Sequence, residues 1–277
     1  MSLSLLLKRA ISYILHGTPI VNITAGITYT NSSEILKGKR IIITGGSRGL
    51  GLAMAKKCIE EGAIVLITGR NEDSLKKISK ELGCKYSVLD IRETKNFNAF
   101  IEQAQNELGA IDGLINNAGI SLHEATFFDV NTNTFDDQIA TNLRGPYFLT
   151  QSYINYLLKH KLKGNILFIS SEAGETVDYR PYGYTKAATN SIVKGLANLF
   201  RKEGIRINAI APGVTVTDMT GVASNGNLYA GDYGEGRYYL PQEIAEVASF
   251  LLSDTSGCIS GQIITCNNAQ TVNPRWK

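Results

Sequence analysis

Long apolar runs are missing from this 277-residue chain, and no stretch reaches the roughly 18 residues that span a bilayer. The leucines of Leu3-Ser4-Leu5-Leu6-Leu7 come before Lys8-Arg9, the reverse of a secretory signal, so a cytoplasmic chain is expected. Four cysteines, Cys58, Cys84, Cys258 and Cys266, form no Cys-x-x-Cys, and His16, His123 and His160 never approach ligand spacing. Neither a disulfide framework nor a metal site is expected. Proline is scarce at 6, and 43% of residues are hydrophobic, which excludes a disordered or collagen-like chain. Charge of one sign is also lacking: 28 basic against 25 acidic residues leave +3, too little to imply a nucleic-acid partner. Carboxylates are absent altogether before Glu34, where Lys8 and Arg9 are the only charged side chains.

What is present is an alternation. Short apolar runs at 40–44, 63–68, 86–89, 113–115, 165–169, 206–210 and 262–265 read as buried strands. Between them lie helical segments at about 50–61, 94–108, 135–159, 182–201 and 242–252, and one carrying Leu75, Ile78 and Leu82 with Asn71 as N-cap and Gly83 as stop. Near-continuous Ile/Val/Leu strands separated by helices predict an α/β fold: a single doubly wound Rossmann-type domain, a parallel sheet of about seven strands, and helices on both faces. The beat is unbroken from 39 to 266, so residues 39–277 read as one domain and 1–38 as an extension.

The first strand leads into Thr44-Gly45-Gly46-Ser47-Arg48-Gly49-Leu50-Gly51 and then a helix. Glycines there permit a sharp turn, a close approach to a pyrophosphate and a helix N-terminus facing the anion. The spacing Gly-x-x-x-Gly-x-Gly resembles the classical short-chain dehydrogenase/reductases. So do Asn116-Asn117-Ala118-Gly119 after the fourth strand, Ser171, Tyr182-x-x-x-Lys186, and Pro212-Gly213 after the sixth strand, in family order. The resemblance implies a nicotinamide dinucleotide held by Gly45, Ser47, Arg48, Gly49, Leu50, Gly51, Arg70, Asp90, Ile91, Asn117, Ala118, Gly119, Tyr182, Lys186, Pro212, Gly213, Val214 and Thr217. Asp90 matches the family's adenine contact.

The second strand ends Thr68-Gly69-Arg70, with no carboxylate to repel a 2′-phosphate, and Arg48 adds a second cation. NADP(H) is therefore expected ahead of NAD(H). Carbonyl reduction needs a proton donor at the oxygen and stabilisation of its developing charge. Tyr182 and Lys186 stand four apart on one helix face, where the lysine's charge would favour the phenolate. Tyr184 on the same helix points elsewhere. The resemblance makes Ser171, in Ser171-Glu172-Ala173-Gly174, the group that holds the substrate oxygen, and gives Asn142 a water linking Lys186 to solvent. The substrate would be a small carbonyl compound or alcohol. A non-enzymatic NADP(H) sensor or scaffold on the same fold is the alternative, although such proteins typically lose the Tyr or the Lys.

Residues 219–240 take the place of the substrate lid and hold several glycines and Tyr229, Tyr233, Tyr238 and Tyr239 beside Asn225, Asn227, Asp232 and Arg237, which suits a polar, hydroxylated substrate. Asn267-Asn268-Ala269 replaces the common Asp-Gly-Gly, so the final turn is expected to run differently. Helices at 135–159 and 182–201 resemble the family's oligomer faces, implying a homodimer or homotetramer. In the extension, Leu3, Leu6, Leu7, Ala10, Ile11, Ile14 and Leu15 fall at helical spacing and 20–30 reads as extended chain. An arm packing on protein is favoured over peripheral membrane contact, because one Lys-Arg pair attracts anionic lipid weakly.

Overall fold

The computed structural model describes residues 22–24, 34–221, 227–231, 233 and 236–272. Strand β1 (Arg40–Thr44) is followed by α1 (Gly49–Glu60), β2 (Ile64–Gly69), α2 (Glu72–Leu82), β3 (Lys85–Val88), α3 (Phe97–Leu108) and β4 (Gly113–Asn116). Then come α4 (Thr132–Ile139), α5 (Gly145–His160), β5 (Gly164–Ile169), α6 (Pro181–Leu199), β6 (Ile205–Pro212), α7 (Pro241–Leu252) and β7 (Ile263–Cys266). All seven strands are parallel, in the order β3-β2-β1-β4-β5-β6-β7. The order reverses between β1 and β4, which opens a crevice at their carboxyl ends.

The isoleucine run of β1 shows why the sheet is covered twice. Ile41 and Ile43 join Met54, Ala55, Val65 and Ile244 under α1 and α7, whereas Ile42 points the other way, into Phe100, Leu149, Tyr153 and Val193 of α3, α5 and α6. Each of the three is at most 1% exposed. A strand that buries alternate side chains in two separate cores must be apolar throughout. At α2, Asn71 Oδ1 accepts the Ser74 N–H at 2.8 Å and Gly83 closes the helix with φ +66°, as the sequence predicts.

The single helix expected over 135–159 is instead two, joined by one π-helical turn at Ala140–Arg144. Pro146 is the cause: it has no N–H for the carbonyl four residues back, so the ladder slips, and Gly145 N–H bonds Ala140 O five residues back. That turn carries Asn142. The helical spacing noted at 3–15 lies outside the described residues, as does part of the lid. Of the extension, Ile23 is placed against the lid: its N–H donates to Asn227 Oδ1 at 3.1 Å, and Leu228 N–H donates to Ile23 O at 2.9 Å. Among the described residues no helix is long and apolar enough to cross a membrane.

Candidate active site

The crevice between β1 and β4 opens into a cleft of about 1030 Å³, lined from the glycine loop to the start of the lid. At one end, the first turn of α1 has neither a capping side chain nor an acidic residue. Its N–H groups therefore face the cleft without an internal acceptor, which fits a pyrophosphate. Gly45, Ser47, Arg48, Gly49 and Leu50 line this end. Gly51 does not. A Cβ there would lie 2.1 Å from the Gly45 carbonyl oxygen, so Gly51 is the close-packing glycine that seats α1 on the loop. Thr44, unnoticed in the sequence, ties the loop to β4: its hydroxyl accepts the N–H groups of Asn117 and Ala118, both at 3.0 Å, and donates to Ile115 O at 3.2 Å. Asn117 Nδ2 returns to Thr44 O at 2.8 Å.

Farther along, Arg70, Asp90 and Ile91 line the cleft, as do Asn117, Ala118, Gly119, Pro212, Gly213, Val214 and Thr217. Arg48 stands 3.8 Å from Asp218, with both side chains largely exposed. Arg92 was missed by sequence reasoning, although Asp90-Ile91-Arg92 offered a charge pair. It grips Asp90 through Nε at 3.1 Å and Nη2 at 2.7 Å and holds that carboxyl below its ordinary range. This end of the cleft thus carries Arg48, Arg70 and Arg92 with two carboxylates, Asp90 and Asp218, each beside an arginine.

At the other end, Ser171, Tyr182 and Lys186 share the cleft floor. Pro181 at the first position of α6 starts the helix without wasting an N–H, so Tyr182 and Lys186 project from its opening turns. Lys186 Nζ donates to Ile169 O at 2.7 Å and lies 5.4 Å from the Tyr182 ring centroid. Burial pulls this lysine down to about 8. Burial also holds the Tyr182 phenol above its ordinary value, while Ser171, which faces it, and the Arg180 charge pull it back. Desolvation outweighs these favourable partners, so the neutral, proton-donor form of the phenol is favoured at rest. Tyr184 is 48% exposed, and Tyr179 turns its hydroxyl to Ala125 O at 2.9 Å, so neither competes.

Asn142 is buried behind the wall. Its Oδ1 accepts Ile120 N–H and its Nδ2 donates to Ile120 O, both at 2.8 Å, so its carboxamide holds the loop beside Gly119 and does not face the cleft. The substrate end gains residues that single-sequence reading did not mark: Ser121, His123 and Arg180 line it, with His123 Nε2 2.7 Å from Met219 O and Arg180 clamped by Asp178 at 2.9 Å. Beyond the cleft, the turn after β7 keeps left-handed backbone at Asn268 (φ +48°) and Ala269 (φ +63°), so the glycines are replaced while a glycine-like conformation stays.

A doubly wound parallel sheet with an anion cradle at its switch point and a Ser, Tyr and Lys set on the floor beyond defines a dinucleotide-dependent oxidoreductase. The chain belongs to the short-chain dehydrogenase/reductase family, whose members bind NAD(H) or NADP(H) and interconvert carbonyls and alcohols. A family model described as enoyl-(acyl carrier protein) reductase matches residues 45–268. A 3-oxoacyl-[acyl-carrier-protein] reductase of Aquifex aeolicus is 33% identical over 242 residues, covering 84% of this chain and 97% of the relative. An L-rhamnose 1-dehydrogenase (NADP(+)) of Thermoplasma acidophilum is 32% identical over 252 residues, covering 86% and 98%. Among solved structures, a short-chain type dehydrogenase/reductase from Mycobacterium marinum superposes with a TM-score of 0.79 at 27% identity, covering 86% of this chain and 97% of that one. A 3-ketoacyl-(acyl-carrier-protein) reductase from Brucella melitensis complexed with NADH gives 0.79 at 27%, covering 86% and 100%.

Proposed function

We propose that this protein is an NADPH-dependent reductase of small polar carbonyl compounds, with Tyr182 as the proton donor. The observation that carries the reading is the placement of Ser171, Tyr182 and Lys186 in the same cleft as the uncapped N-terminus of α1. When bound, the cofactor supplies the hydride. Ser171 holds the carbonyl oxygen by donating its hydroxyl proton, and the neutral Tyr182 phenol gives its proton to that oxygen as negative charge builds there. Lys186, anchored by Ile169 O, keeps a cation within reach of the resulting phenolate and so limits the cost of making it. Asn142 keeps the Ile120 loop, and with it the wall of the site, in place.

Preference for NADP(H) is supported by Gly69 standing where a carboxylate would repel a 2′-phosphate and by Arg48 and Arg70 lining that end. The polar lining at Ser121, His123 and Arg180 favours a hydroxylated substrate over a long apolar chain. Tyr147, Phe148 and Leu158 of α5 and Tyr184 of α6 each stay more than a third exposed, which supports a homo-oligomer built on these helices.

The test is Tyr182→Phe, assayed by NADPH absorbance against ketones, diketones and keto-sugars. Turnover should fall by at least about a thousandfold with NADPH binding retained, as expected when the group that meets the developing charge is removed. Surviving turnover overturns the role of Tyr182. Tight NADPH binding by the unaltered protein without turnover of any carbonyl supports the sensor reading instead.

A further inference from the structure

We propose that Glu172, Tyr233 and Asn267 form a latch that positions the substrate lid against the catalytic serine's turn, an inference that rests on the reductase reading above. Glu172 follows Ser171 directly and opens the short 3-10 turn Glu172–Gly174. One of its carboxylate oxygens accepts the Tyr233 hydroxyl of the lid at 2.5 Å, and the other accepts Asn267 Nδ2 at 2.9 Å from just beyond β7. The Tyr233 oxygen in turn accepts Val214 N–H at 2.6 Å. A single phenol oxygen therefore bridges the turn after β5 and the loop after β6, and Glu172 and Val214 both line the cleft.

The chemistry of the three groups gives the latch a direction. An ionised carboxylate only accepts, so the Tyr233 proton points at Glu172 and the phenol's lone pairs are left for Val214 N–H. A hydrogen bond to a charged acceptor is about twice as strong as a neutral one, which makes this contact stronger than an ordinary loop closure. Asn267 is 1% exposed and also donates to Thr271 Oγ1 at 3.1 Å, so its amide faces Glu172 by construction. An aspartate at 267 would put two carboxylates at that 2.9 Å contact. The departure from the common Asp-Gly-Gly is thus matched by the carboxylate at 172. Space enforces the same arrangement: a Cβ on Gly213 would fall 2.5 Å from the Tyr233 oxygen and 2.9 Å from Asn267 Cβ. The Tyr233 ring is steadied by Tyr238 and Tyr239, with centroids 6.2 and 6.4 Å away.

Glu172, Tyr233 and Asn267 are positioning residues. They set how closely the lid approaches Ser171, and so should control substrate KM more than kcat. The experiment exchanges donor and acceptor: Asn267→Asp alone, Glu172→Gln alone, and both together, in the full chain. Asn267→Asp should raise KM for the carbonyl substrate about tenfold, the scale of a lost charge-assisted hydrogen bond, with kcat changed less. Deuterium uptake over 211–221 and 227–240 should quicken in either single variant. The double variant keeps every side-chain volume and restores a donor opposite a charged acceptor between 172 and 267, while Tyr233 is left with a neutral acceptor, so KM and uptake should recover part of the way from Asn267→Asp toward the wild-type values.

Unchanged KM and uptake in Asn267→Asp would overturn the latch, and so would a double variant no better than Asn267→Asp. Uptake needs no turnover. A protein that reduces nothing yet shows this exchange pattern has lost the reductase reading and kept the latch, whereas one that turns over normally in all three variants has lost only the latch.

Discussion

At the scale of single residues, Lys186 sets the clearest pH dependence. Burial disfavours its charged form and brings it down to about 8, so its proton leaves as the pH rises through that value. Reduction uses the charged lysine and the neutral phenol, and burial keeps the latter protonated beyond the lysine's range. The value of kcat/KM for reduction is therefore expected to be level below about pH 7 and to fall above 8; a profile flat to pH 10 would remove the lysine from the mechanism. Ala269 offers a stability test of a different kind. With φ +63° it pays the left-handed penalty while exposed. Ala269→Gly should add about 0.5–1 kcal/mol after the greater chain entropy of glycine is subtracted, visible as a small rise in the urea midpoint with unchanged slope. The residues proposed for the site could be picked out in the sequence not by type, since glycine and tyrosine are common here, but by spacing and by the family resemblance it carries: Tyr182 and Lys186 four apart, Gly45, Gly49 and Gly51 in one loop. Thr44 and Glu172 were not, because nothing in their neighbours in sequence distinguishes them and their partners at Asn117 and Tyr233 are set by the fold; Arg92 had its partner Asp90 two residues away, but only the fold places that pair on the cleft.

Between elements, the contact of α1 with α7 has a charged centre. Lys57 Nζ reaches Glu61, the C-cap of α1, at 2.8 Å and Glu246 of α7 at 3.0 Å, with Lys57 and Glu61 almost wholly buried. Removing the ammonium leaves a buried concentration of negative charge, so Lys57→Met should cost about 3–5 kcal/mol in denaturant unfolding although methionine fills the volume. A loss under 1 kcal/mol would show the pair to be replaceable by packing alone. Arg206 of β6 does comparable work at the other end of α7, donating to the carbonyls of Leu251, Ser253, Ser256 and Ile259. Strand and helix positions followed from apolar periodicity to within a few residues, since the central strands β1, β4, β5 and β6 are buried almost throughout while the edge strands β3 and β7 are not. The break between α4 and α5 was missed because the apolar period runs through it; the missing N–H of Pro146 was the available signal.

For the whole molecule, the described part of the extension sits on the lid, where Ile23 bonds Asn227 and Leu228. Deleting residues 1–33 is expected to leave the Rossmann-type domain folded and NADPH bound, to quicken deuterium uptake over 227–240 and to raise substrate KM about threefold, the scale of one or two neutral hydrogen bonds shared among lid conformations. Binding to anionic liposomes should be the same with and without the extension. An unchanged lid together with lost liposome binding would instead make the extension a membrane contact.

The sequence alone determined the fold class and the nicotinamide-dinucleotide class of the cofactor, and it singled out the tyrosine and lysine proposed as the catalytic pair. Those rest on period, glycine spacing and a helical interval of four, all local quantities that one chain carries in its order of residues. Tertiary structure decided what is long-range: which way burial tips Tyr182 and Lys186, that Asn142 holds the Ile120 loop, and that residues 23, 172, 233 and 267 meet around one lid. Hydrogen-bond partners up to 215 residues apart, and the desolvation of groups brought together from separate strands, exist only once the sheet has closed its two cores.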